Sequence, residues 1–184
     1  MPTPTTQSRA GTTLWELLCS LSIASLLLAV GVPSFQSFLL DARQRADINA
    51  FFTAIQLARS ETTKLGRPVV LCKTIDLRRC GGEEIRYDSG WMVFVNRDDR
   101  KPFERAESEP LLTAWVPKSE GPIHANRTVF EFRAFRRRST NGTVTFCDRR
   151  GARAARAVIV SYTGRPRIDS RGPGRRALIC AGLP

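Results

Sequence analysis

GTTLWELLCSLSIASLLLAVGVPSFQSFLL, residues 11–40, decides the fold. After Glu16 no charged residue occurs before Asp41. The centre of this stretch, residues 21–32, reads as a helix that spans a bilayer. Glu16 is then a single carboxylate at the edge of a membrane segment. Near the bilayer centre such a group costs roughly 2.5–3.5 kcal/mol on insertion scales, so it calls for a partner. Pro33 would break a soluble helix. In a membrane helix it gives a kink, and neighbours satisfy the freed carbonyl. A cleavable secretory signal fits poorly, because the segment is long, lacks an A-x-A site and runs on into further helical pattern.

That pattern continues through Phe35, Phe38, Leu39, Ala42, Ala46, Phe51, Phe52, Ile55, Ala58, Thr62 and Leu65, spaced mostly by three and four with one slip near Ile48. Asp41, Arg43, Arg45, Asp47, Gln56, Arg59 and Lys64 fall on the opposite face. The spacing predicts an amphipathic helix. Gly66 can take the left-handed cap position and Pro68 bars continuation. One helix of roughly 50 residues is expected, half in a membrane and half on a soluble domain.

Downstream the chain reads as β. Runs at 69–73, 91–95, 111–116, 128–132, 143–146 and 157–162 are short and rich in β-branched or aromatic residues, with Gly, Pro, Asn and Asp between them. Asn141-Gly142 predicts a hairpin turn joining the 128–135 and 143–147 runs. Residues 96–110 form a long charged loop. Trp91, Phe94, Trp115, Phe130 and Phe132 read as core. One helix against six or more strands predicts an α+β domain with a long N-terminal helix on an antiparallel β domain.

Net charge is +12, and its distribution is uneven. Residues 127–184 hold 14 Lys and Arg against three acids, Glu131, Asp148 and Asp169, whereas residues 12–126 balance 14 against 14. A bias toward Arg in the genome would explain Arg over Lys, but not the scarcity of acids after Glu131. The basic last third suits a polyanion or a solvated basic surface. Cys19 lies in the apolar run. Cys72, Cys80, Cys147 and Cys180 follow it, an even number that fits an oxidising compartment. Of the three possible pairings we favour Cys72–Cys80, closing a short loop through Gly81-Gly82, and Cys147–Cys180, tying down the chain end. Zinc is disfavoured, since no C-x-x-C occurs and His124 is the only histidine.

No catalytic set emerges, so an enzyme, a cofactor and a metal site are not expected. His124 stands alone in a loop. Glu83-Glu84 and Asp98-Asp99 lack a matching base, Ser161 is not in a nucleophile elbow, and Gly172-Pro-Gly174 lacks a phosphate-loop frame.

Gly11-Thr12-Thr13-Leu14-Trp15-Glu16, with the apolar helix and Pro33 behind it, resembles the type IV pilin family and its pseudopilin relatives. The resemblance implies that a prepilin peptidase cuts after Gly11 and methylates the new amine, leaving Thr12 as the mature N-terminus, where the family usually has Phe. Glu16 then pairs with the α-amino group of a neighbouring subunit. Residues 57–61, 66–72, 90–95, 146–151, 157–161 and 164–167 resemble the GspH/FimT group of minor pilins and pseudopilins. By that likeness residues 1–11 are a leader, 12–40 a transmembrane helix half, 41–66 an amphipathic half and 67–184 a globular domain. The implied setting is the inner membrane, single-pass, with the domain in the periplasm and then in a pilus or type II secretion filament. The implied partners are other pilins, the peptidase and an inner-membrane assembly platform.

Arg136-Arg137-Arg138, Arg149-Arg150 and Arg165 and Arg167 are candidate anion contacts, since Arg offers a planar fork to phosphate oxygens. In Gly164-Arg-Pro-Arg167 the glycine permits a turn. Two arginines one residue apart in extended chain share a face about 7 Å apart, close to the phosphate spacing along one DNA strand. In the FimT-like branch a Gly-Arg-x-Arg motif here is associated with DNA uptake. Double-stranded DNA is therefore a candidate partner.

Overall fold

A computed structural model describes residues 13–99, 101, 103–134 and 139–180. Helix α1, Leu14–Leu65, runs through two units, one ending at Leu39 and one beginning at Leu40.

In the first unit the side chains face outward. Leu26, Leu27, Val30 and Phe35 are all exposed, and the segment is long and apolar enough to cross a membrane. The helix continues through Pro33. Ser20, Ser22, Ser25, Ser34 and Ser37 each donate a hydroxyl to a carbonyl three or four residues back. These side chains therefore need no outside acceptor, which suits a helix in lipid.

In the second unit the helix buries Leu40, Gln44, Asp47, Ile48, Phe51, Ala54, Ile55, Ala58 and Thr62, one stripe at spacings of three and four. It ends where expected. Gly66 takes a φ of 62°, its N–H bonds the Thr62 carbonyl at 3.0 Å, and Pro68 follows.

Two antiparallel sheets pack with this stripe. The first has the order β3-β2-β1-β5, with β1 Val69–Lys73, β2 Trp91–Val95, β3 Leu111–Trp115 and β5 Val129–Phe132. The second has the order β4-β6-β7-β8, with β4 Ile123–Ala125, β6 Gly142–Phe146, β7 Arg156–Val160 and β8 Pro166–Asp169. Strands β1 and β2 are buried at every position because both faces of the first sheet are covered. Val69, Leu71, Trp91 and Val93 join the main core with α1, while Val70, Cys72, Met92 and Phe94 pack under Phe103 of the 96–110 loop and Cys80. Disulfides join Cys72 to Cys80 and Cys147 to Cys180. Cys147, Ala155, Ala157, Ile159 and Leu178 form a small cluster beside the second bond.

Phe51 ties the helix to both sheets. Its ring meets Tyr87 at 5.6 Å, Trp91 at 5.2 Å, Phe130 at 6.1 Å and Phe146 at 5.8 Å, all edge-on. Such pairs add about 0.5–1.5 kcal/mol each beyond burial.

Three expectations need correction. The 128–132 and 143–146 runs do not form a hairpin. Strand β5 pairs with β1 and β6 pairs with β4 and β7, so the two lie in different sheets. Gly142 is a strand residue paired with Val160, and glycine is required there because a Cβ would meet Asn126 Oδ1 at 2.8 Å and the Phe130 ring at 2.9 Å. Asp47 is not on the solvent face but fully buried. Its carboxylate accepts from Trp115 Nε1 at 2.9 Å, Lys118 N at 2.9 Å and Ser119 N at 2.8 Å, clamping the 115–119 segment to α1.

A second polar tie runs from α1 to the segment after β6. Arg150 donates to Asp148 at 2.6 Å and to Asp41 at 2.7 Å. Burial pushes the Asp148 carboxyl up, but its bonds to Arg150 outweigh that and hold it below the usual carboxylate range. The Arg150 guanidinium is raised in turn, chiefly by Asp148.

Two stability tests follow from these ties. Asp47→Ala strands three donors and should cost about 2–3 kcal/mol in urea unfolding, with Asp47→Asn costing less because one acceptor oxygen remains. Asp148 has a depressed folded pKa, so its contribution is full above the unfolded pKa and is lost as pH falls through the folded one. Arg150→Met removes the side-chain bonds that offset burial of Asp148, leaving the backbone N–H of residue 150 at 2.8 Å. It should cost about 2–3 kcal/mol at neutral pH, with the deficit shrinking as pH falls through the folded pKa of Asp148 and the variant's acid limb correspondingly shallower. An unchanged acid limb in that variant would contradict the pairing.

Candidate functional site

Two places carry chemistry that the packing does not use up. The first is the start of α1. Thr13 is the cap: its Oγ1 accepts from Glu16 N at 3.3 Å. Glu16 Oε2 accepts from Thr13 N at 3.0 Å and from Thr13 Oγ1 at 3.1 Å. This is a reciprocal capping box, with Thr at the cap and Glu three residues on. It gives the carboxylate two donors inside its own chain, and the first helical turn favours its charge. The resemblance implies a partner for Glu16 in another subunit; the chain also supplies one of its own. The Thr-x-x-Glu spacing of residues 13–16 was the signal for the local one. Gly11 and Thr12 lie outside the described residues.

The second place is the end of the second sheet. Ser161 to Arg165 form the turn between β7 and β8. Gly164 N bonds Ser161 O at 2.8 Å, Ser161 N bonds Arg165 O at 3.0 Å, and Arg165 N bonds Ser161 Oγ at 3.2 Å. Gly164 takes a φ of 73°, and a Cβ there would also meet Ser139 Oγ at 3.0 Å. The position therefore requires glycine. Pro166 opens β8, and Arg167 pairs opposite Ile159. Arg165 and Arg167 are both exposed and, among the described residues, neither makes an ion pair. Arg171, Arg175 and Arg176 follow in the exposed C-terminal segment.

The other arginine candidates fare differently. Arg149 is exposed, but it follows β6 at the Phe146–Arg156 end of the sheet, the end opposite the β7–β8 turn. Arg150 is engaged by Asp148 and Asp41, so its charge is largely offset within the fold. Arg136, Arg137 and Arg138 lie outside the described residues. Pairing with Asp41 was illegible in the sequence, because that acid lies 109 positions away.

Comparison with known proteins agrees with this architecture. The family described as "Type II transport protein GspH" matches residues 47–164. No curated protein matches the chain at significance. Among solved structures, the type IV minor pilin FimU of Pseudomonas aeruginosa superimposes with a TM-score of 0.52 at 15% identity, covering 74% of this chain and 98% of FimU. A second crystal form of FimU gives 0.50 at 16% identity, covering 79% and 97%. At that identity the likeness shows a shared fold: a long N-terminal helix on antiparallel sheets. With the family match over most of the soluble unit, the chain belongs to the GspH family, a minor pilin or pseudopilin and a structural subunit rather than an enzyme.

Proposed function

We propose that this protein is cut after Gly11, leaving Thr12 as the mature N-terminus, and enters a filament assembled at the inner membrane, either a type IV pilus or a type II secretion pseudopilus. The observation that carries this reading is the helix start. An exposed apolar helix carries Glu16 in its first turn, the helix's sole charge before Asp41, held by the Thr13 cap. Lipid covers such a helix in the membrane and neighbouring α1 helices cover it in a filament. In both settings a carboxylate survives only with donors or a cation beside it. The α-amino group of an adjacent subunit is that cation in the filament. The apolar half from residue 12 to 40 is the anchor, Pro33 sits in it, and the soluble unit lies in the periplasm. The peptidase, the assembly platform and fellow pilins are the partners this requires.

A second role is favoured by one further observation. Arg165, ending the turn that Gly164 makes possible, and Arg167, in β8 just after it, are exposed and carry no internal counter-charge among the described residues. Such a pair suits the phosphates of double-stranded DNA, with Arg149 and the Arg136–Arg138 run as further candidates.

Each role has its own test. Gly11→Ala should leave the leader attached, read as a higher intact mass, and keep the protein out of sheared filaments. Unchanged mass and incorporation would end the processing reading. For DNA, the 40–184 unit should retard a duplex at low salt. Arg165→Ala with Arg167→Ala should flatten the log–log salt dependence by about 1.8, two phosphates' worth. No retardation at low salt, or an unaltered slope, would remove DNA from the function.

A further inference from the structure

The exposed arginines of the last third divide between the two ends of the second sheet. Arg165 and Arg167 stand at the β7–β8 turn. At the other end β6 stops at Phe146, β7 starts at Arg156 opposite it, and β8 stops at Asp169 opposite Ala157. Segments 147–155 and 170–180 therefore leave the sheet at that end. Cys180 is bonded to Cys147, and Leu178 packs with Cys147, Ala155 and Ala157, which holds the second segment beside the first. Arg149, Arg153, Arg156, Arg171, Arg175 and Arg176 are exposed there, and none makes an ion pair among the described residues. The acids nearby are fewer and engaged. Asp148 and Asp41 are bound to Arg150, Glu120 to Arg43, and Asp169 accepts from Arg171 N at 3.0 Å.

This end is also where α1 enters the soluble unit. Leu40 closes the uncharged run, and Asp41 is the first charge after Glu16. Arg150 reaches the Asp41 carboxylate at 2.7 Å, and Gln44 Nε2 donates to Phe146 O at 3.2 Å. Helical rise puts Asp41 and Gln44 only about 1.5 and 6 Å along the axis from Leu40. The arginine-bearing segments thus begin where the apolar helix ends. Ile179, 77% exposed beside Cys180, adds a large aliphatic side chain to the second of them. Cations around an exposed aliphatic group suit a bilayer surface, the charges meeting phosphates and the aliphatic group the acyl boundary. Each Lys or Arg near an anionic surface favours contact by about fivefold, and the attraction fades beyond a Debye length of about 10 Å.

We propose that this arginine-bearing end of the second sheet docks on anionic phospholipid headgroups in the unassembled subunit. The proposal rests on the reading of residues 12–40 as a membrane anchor. That placement sets the occupant: the anchor brings these arginines to headgroup phosphates within the chain's own reach, and any soluble polyanion has to compete with that surface. Arg165 and Arg167, at the opposite end of the sheet, take no part in it.

The test uses the full-length protein reconstituted in vesicles of phosphatidylcholine alone or of phosphatidylcholine mixed with phosphatidylglycerol. Phenylglyoxal modifies accessible arginines, and mass spectrometry reads the rate at each one. Phosphatidylglycerol should slow modification of Arg149, Arg153, Arg171, Arg175 and Arg176 at least about threefold and leave Arg165 and Arg167 unchanged. The slowing should vanish in about 1 M salt, where screening shortens to about 3 Å. The proposal fails if these arginines react alike in both kinds of vesicle. It fails too if Arg165 and Arg167 slow as much, which would report surface charge in general. Equal protection by inorganic phosphate added to phosphatidylcholine vesicles would make this a simple anion site and overturn it. So would protection of the set by a DNA duplex where phosphatidylglycerol gives none. Flotation of the vesicles in alkaline carbonate reads the anchor separately. Protein released there refutes the anchor, while the arginine rates still decide the face.

Discussion

One helix has to satisfy two solvents. Up to Leu39 the side chains of α1 face outward and are almost wholly apolar; from Leu40 the helix buries one stripe against sheets and exposes charge on the other side. Helical hydrogen bonding is internal, so the same backbone is stable in lipid and in water. The side chains make the difference. In the apolar half every serine hydroxyl is returned to the helix, and the lone acid is capped by Thr13. The cap removes part of the cost of carrying Glu16 there without removing its charge. That charge remains available to a second cation.

In the soluble half, the helix is held by packing at its centre and by polar ties toward one end. Phe51 touches rings from both sheets, at the centre of a core that the two four-stranded sheets share with the helix. Asp47 and Asp41 add bonds to the 115–119 segment and to Arg150. Each is an acid on the helix whose donors come from segments distant in sequence. Together they tie the helix to the segment that follows β3 and to the segment that follows β6. The Cys147–Cys180 bond fastens the last described residues to the same sheet, adding about 2–4 kcal/mol by restricting the unfolded chain.

Much of this was legible in the sequence, for reasons that are local. The three-and-four spacing of apolar residues marks α1, and Gly66 with Pro68 marks its end. Val69–Lys73 and Trp91–Val95 are apolar runs of strand length between breakers. What was not legible depends on partners far along the chain. Asp47 reads as a surface acid until Trp115 is placed over it. Asn141-Gly142 has the composition of a hairpin turn, but Gly142 is there because Phe130 and Asn126 leave no room for a Cβ. Strand β4 has three residues, too few for a period, and is recognised only through its ladder with β6. Arg150 looks like its arginine neighbours until Asp41 is found beside it.

The central claim is that the charge of Glu16, and not its cap alone, carries the subunit into a filament. Glu16→Gln separates the two, because glutamine at the third helical position still completes a capping box while carrying no charge. The measurement is the ratio of this variant to wild type in sheared filaments, normalised to its amount in the membrane fraction. The expected result is a protein that is cleaved, stable and retained in the membrane, yet depleted at least tenfold or so from filaments, as loss of a close ion pair in a dry helical bundle requires. Equal incorporation of Glu16→Gln and wild type would contradict it, and would reduce Glu16 to the end of a capped helix.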